Sequence, residues 1–126
     1  MPLSLRKALL VAALSDSFVD RLFAGQEAVT DRLGFRAGVA AKHPTLGTVM
    51  EICALRDDSP RLALGTVRVP MEDYAGLSVE DFMVSLYNEH SVQRVMVCWP
   101  AGRQEDGQAL LAAAVAGLEQ EMGALA

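Results

Sequence analysis

Two short β-branched runs on either side of an amphipathic helix constrain this chain more than any other feature. The runs "LALGTVRV" (62–69) and "VQRVMVCW" (92–99) have strand composition. Between them, "GLSVEDFMVSLYNEH" (76–90) opens with Ser78 three residues before Asp81, a capping box. Val79, Phe82, Met83, Leu86 and Tyr87 then recur at helical spacing, which gives one apolar stripe expected to be buried, and His90 ends the helix. Strand, helix and strand across such short gaps predict a βαβ unit, and therefore a parallel, right-handed pair. The last run is apolar on both faces from Val95 onward, as an interior strand would be.

The rest of the chain is arranged around that unit. "TVMEICAL" (48–55) is short and β-branched, and the polar turn "RDDSPR" (56–61) joins it to 62–69, so a β-hairpin is expected there. The N-terminal third reads as helices. Leu5, Leu9 and Ala12-Ala13 mark a first one, and Ser15 or Asp16 would cap a second, "DSFVDRLFAG", closed by Gly25. A third, "QEAVTDRLG", stops at Gly34. Residues 36–47, with two Gly and a Pro, read as a connection. A final amphipathic helix spans about 104–122, with Leu111, Val115, Leu118, Met122 and Leu125 on its seam. The expected fold is α+β, in one domain over 1–126. A helical part (1–35) precedes a ββαβα part (48–122), whose hairpin and βαβ unit make a small three-stranded mixed sheet closed by the C-terminal helix.

Composition removes some classes of function. The 126 residues are 52% apolar and 21% charged with a net charge of −5, which describes a folded, acidic globule. Its Lys and Arg are scattered, so nucleic acid is not an expected partner. No apolar run reaches the ~18 residues of a membrane span, and "ALLVAAL" near the start is too short, without a cleavage site, to read as a leader. Cys53 and Cys98 lie in apolar runs, as reduced, buried thiols of a cytoplasmic protein would.

The parallel pair would put both strand C-termini on one sheet edge, where open α/β sheets bind ligands. That edge would gather Glu72, Asp73, Tyr74, Cys98, Trp99 and Arg103, with Gly102 allowing close backbone approach. Arg103 and the amides of the last helix would hold an anion, Trp99 or Tyr74 would stack on a ring, and Glu72 or Asp73 would act as base. The same residues also read as plain core (Cys98, Trp99), a plain turn (Pro100, Gly102) and a solvated loop (Glu72, Asp73).

Other chemistry finds little support. His43, His90, Cys53 and Cys98 have no metal-ligand spacing, and no nucleotide-binding glycine motif is present. His90 and Cys98 sit at opposite ends of one strand, about 26 Å apart, too far for a nucleophile pair. Pro2 invites comparison with tautomerases, but a helix and not a strand follows it. Residues 17–29, "SFVDRLFAGQEAV", resemble the helical opening of nitrile hydratase alpha chains and related peptide leaders. The Cys cluster of that enzyme is absent here, so the resemblance implies neither its activity nor its metal.

Two functions fit. The first is a small cytoplasmic non-enzymatic interaction protein (adaptor, chaperone or accessory subunit) that self-associates, with a protein or a second copy as partner. No cofactor, metal, nucleic acid or membrane is involved in this reading. Six Met suit an adaptable apolar surface, and a short sheet has edges to cover. The alternative is a small-molecule-binding domain or minor enzyme using the rim at 70–74 and 98–103.

Overall fold

The computed structural model describes residues 3–24, 31–68, 76–87 and 91–125. These form five helices and a three-stranded antiparallel sheet, an α+β arrangement. In chain order the elements are α1 (Leu5–Ala24), α2 (Arg32–Lys42), α3 (Pro44–Ala54), β1 (Arg61–Arg68), α4 (Val79–Tyr87), β2 (Ser91–Cys98), β3 (Gln104–Asp106) and α5 (Gly107–Leu125).

α1 is one helix and not two. Ser4 caps it, its Oγ accepting the Lys7 N–H at 3.2 Å. Ala8, Ala12, Ser15, Val19 and Leu22 form a single buried stripe that runs through the expected break. Ser15 faces the core instead of capping, and Asp16 turns to Arg36 of α2.

The expected connection at 36–47 is mostly helix, because α2 continues through Gly34 and Gly38 to Lys42. Tertiary contacts override the low helix propensity of glycine here. Phe35 packs on Phe23 with ring centroids 5.7 Å apart, and Val39 is buried. Residues 25–30, which hold most of the expected third helix and Gly25, lie outside the described residues.

The expected strand at 48–55 is also a helix. Pro44 sits at the first position of α3, where its missing N–H costs nothing. Leu46, Val49 and Ile52 are buried at three-residue steps, a helical period. Gly47 lets α3 approach α2, since a Cβ there would lie 3.1 Å from the Ala40 Cβ. The polar turn at 56–61 therefore joins a helix to β1, and the hairpin does not form.

The sheet order is β1-β2-β3. β1 pairs antiparallel with β2, Arg61 opposite Cys98 and Arg68 opposite Ser91. β2 pairs antiparallel with β3, which the sequence reading placed inside the last helix. The sheet is thus not mixed and has no parallel βαβ pair. β2 begins beside the end of β1, as an antiparallel partner requires.

Leu62, Val95 and Val97 face one core cluster with α1, α2, α3 and α5. α4 is tied to β2 through Asp81 and Arg94 (3.0 Å), and Val92 is buried outside that cluster. Since Arg94 and Val92 alternate with Val95 and Val97, α4 covers the opposite sheet face. Ser78 does cap α4, accepting the Asp81 N–H at 3.2 Å, while the Asp81 carboxylate goes to Arg94 instead of reaching back. The expected buried stripe of α4 is not buried at its start: Val79 is 82% exposed, and Phe82 and Met83 are also exposed. In α5 the seam is Leu110, Leu111, Ala114 and Leu118, and Met122 is exposed.

Candidate functional site

The run "VCWPAGR" is the β2–β3 hairpin. Gly102 donates its N–H to the Trp99 carbonyl and Trp99 donates to the Arg103 carbonyl, both at 2.9 Å. Pro100 fits the first corner of such a turn, and Gly102 takes the left-handed conformation (φ 95°) that closes a three-residue loop. Cys98, Trp99, Gly102 and Arg103 are together because they share this turn. The Arg103 guanidinium lies 4.4 Å from the Trp99 ring centroid and pairs with Glu105. Trp99 packs on the core. Asp106 accepts the Gln108 N–H at 3.0 Å, so the chain's own carboxylate sits at the α5 N-terminus where an anion was expected.

Glu72, Asp73 and Tyr74 lie outside the described residues. The strand directions nevertheless correct the premise that grouped them with Trp99. β1 ends at Arg68 beside Ser91, which is the end of β2 remote from Cys98, about 23 Å away along the strand.

Many of the charged groups engage one another. Arg36 pairs with Asp16 and Asp20, and Arg32 with Asp20 at 2.8 Å. The Arg32 guanidinium, with help from Arg36, holds the Asp20 carboxyl below its usual range against the opposing effect of burial. Cys53 donates to the Ala12 carbonyl at 3.5 Å, and burial, reinforced by Asp16, pushes its thiol up. A raised thiol pKa opposes use as a nucleophile. Both Cys53 and Cys98 are free and half-buried. A cavity of about 340 Å³ beside Cys53 has Asp16, Arg36, Glu51 and Arg56 on its wall, each arginine already bonded to a carboxylate. Among the described residues, no group of three or more His, Cys, Asp or Glu could hold a metal, and no helix is long and apolar enough to cross a membrane.

His43 joins α2 to α3 and meets Glu121 of α5, Nε2 to Oε1 at 2.8 Å, with Lys42 at 3.0 Å. The His43 contact, then Lys42, holds the Glu121 carboxyl below its usual range. A carboxyl with a lowered folded pKa stabilises the fold above its unfolded pKa, near 4.3, and loses that contribution as pH falls through the folded value. Glu121→Gln is expected to cost about 1 kcal/mol at pH 7, or ~3 °C in melting temperature, because solvent still reaches the pair. Melting curves from pH 7 to 3 should show that gap closing below about pH 4.5. A gap that is constant over the range contradicts the assignment.

An apolar groove of about 380 Å³ runs between α1, the C-terminal end of α3 and the start of β1. Leu9, Ala12, Ile52, Cys53, Leu55 and Leu62 are among the residues that line it. Leu55 ends α3 in the left-handed conformation (φ 55°, ψ 38°) and is 79% exposed. It is the only non-glycine residue with positive φ among the described residues. Exposed Leu10 and Leu14, one turn apart, extend the apolar band from Leu9 and Ala13 across the outward face of α1.

None of these leucines was expected as part of a surface site. The signal for part of it was present. Leu10 and Leu14 fall outside the stripe set by Ala8, Ala12 and Ser15, and α3 ends without a glycine. Comparison with protein-family profiles, with curated proteins and with solved structures returns no match for this chain.

Proposed function

We propose that the protein is a small intracellular interaction protein with no catalytic role, and that it self-associates through the face formed by the outer side of α1, Leu55 and the adjoining groove. Leu55 carries this reading. A left-handed backbone costs a leucine about 1–2 kcal/mol that glycine or asparagine largely avoids, and an exposed side chain returns little of it within one molecule. Strain held at an exposed apolar side chain fits a docking knob. Knob and groove lie on the same patch, so two copies about a two-fold axis can exchange them, the isologous geometry of most dimers. The rim carries both signs, with Arg61 at the groove and Asp57 and Asp58 beside the knob, which a two-fold axis can set against each other. Two free thiols support a reducing compartment.

Energetics set the strength of the association. Leu9, Leu10, Leu14 and Leu55 are each part-buried already, so full burial gives about 1 kcal/mol or somewhat more apiece. Counted on both copies, the sum is on the order of 8–10 kcal/mol, comparable with the ~4–15 kcal/mol lost in rigid-body freedom. The dimer is therefore weak and concentration-dependent. Light scattering over a concentration series should show mass rising toward twice that of the chain, and Leu9→Glu should hold it at one chain with melting changed by no more than ~2 °C. One-chain mass for the unmodified protein at every concentration refutes self-association.

A further inference from the structure

The outer edge of β1 is a second feature that the groove does not explain. β1 pairs with β2 on one side only, and among the described residues no strand pairs with its other side. Alternate residues along Arg61–Arg68 therefore present backbone N–H and C=O groups with no ladder partner, a template for an added strand. The six residues between the terminal arginines, "LALGTV", carry no charge and no proline. Most protected edges place a charge or a bulge within that span. Arg61 and Arg68, like Arg6 and Arg21 on α1, have no carboxylate partner among the described residues, whereas Arg32, Arg36, Arg56, Arg94 and Arg103 do. Arg61 and Arg68 are the two that stand at the ends of one open strand.

The two arginines also select the occupant. If a second β1 paired in the centred antiparallel register, each Arg61 would face an Arg68, and like charges directly opposite one another are unfavourable. A strand with carboxylates seven residues apart would face both arginines in either direction, at a separation of about 23 Å. We infer that β1 accepts an extended, uncharged-centred peptide segment with acidic ends as a fourth strand of the sheet, in the β-addition mode of peptide recognition. Backbone pairing supplies the affinity and the end charges supply the choice of partner. Only Arg61 and Leu62 are shared with the groove, so this surface is separate from most of the self-association face.

The test uses a dye-labelled probe, acetyl-Glu-Val-Thr-Val-Thr-Val-Thr-Glu-amide, and its counterpart with lysine at both ends. Fluorescence anisotropy with the full-length Leu55→Gly protein, in which the knob is removed, reads peptide binding whether or not the unmodified chain dimerises. The acidic probe is expected to bind at least tenfold more tightly than the lysine probe in low salt, with the difference shrinking as salt rises. The double variant Arg61→Glu/Arg68→Glu should invert the preference. No binding of either probe, equal binding of both, or an unchanged preference in the double variant overturns the inference and leaves self-association untouched. If the double variant fails to fold, the two-probe comparison on Leu55→Gly decides alone.

Discussion

Leu55→Gly is expected to give a protein that melts later than the unmodified chain when both are monomeric, and that no longer self-associates. Relief of the left-handed strain is worth about 1–2 kcal/mol. The greater freedom of glycine in the unfolded chain takes back about 0.4–1 kcal/mol of that. The net gain is on the order of 0.5–1 kcal/mol, or roughly 2–4 °C. Little packing is lost, since the side chain is mostly in solvent. The dimer loses two knobs, on the order of 3 kcal/mol in total, which is at least a hundredfold in its dissociation constant. Leu55→Ala separates the two effects, because it removes the knob while keeping the backbone strain. It should lose association without the gain in melting temperature. A large fall in stability for Leu55→Gly would mean that the leucine serves the fold of the single chain.

The second large effect is in the core. Leu46 is fully buried where α3 meets α1 and α5. A Cβ on Gly117 of α5 would lie 3.3 Å from Leu46 Cδ1 and 3.0 Å from His43 Nδ1, so α5 approaches α3 closely at this point. His43 is held in turn by Glu121, which limits how far the site can collapse around a smaller side chain. Leu46→Ala is therefore expected to cost about 3–4 kcal/mol, on the order of 10 °C in melting temperature. Leu33→Ala, at a leucine 72% exposed on α2, should change stability by less than about 0.5 kcal/mol. Thermal or urea unfolding measures both. If residues 36–47 were a surface connection, as their two glycines and proline suggest, the two substitutions would cost similar small amounts.

Leu46 shows why part of this fold was hard to read from the sequence. "HPTLGTVMEICAL" contains enough Thr, Val and Ile to resemble a strand, and its glycine resembles a breaker. Its three-residue period at Leu46, Val49 and Ile52 crosses the boundary at which a loop was placed. Gly47 breaks nothing. It is small because Ala40 lies against it, a tertiary reason with no local trace. The strands at 62–69 and 92–99 and the capped helix between them were legible because their patterns are local. Their relative direction was not, because a helix between two strands is compatible with either pairing. Of the proposed rim, Trp99, Gly102 and Arg103 do meet, held by a turn that Pro100 and Gly102 announce in sequence. Leu55 could not be found from the sequence, since its distinction lies in a backbone angle and an exposure.

In the proposed dimer the Leu55 face meets a second copy of itself. Methyl NMR of the leucine-labelled protein across a hundredfold dilution tests it directly. The resonances of Leu55, Leu9, Leu10 and Leu14 should shift together with concentration, while that of Leu33, also exposed but on α2, stays fixed. Resonances for the first four that hold still while the protein dimerises, or at any concentration, would contradict the account.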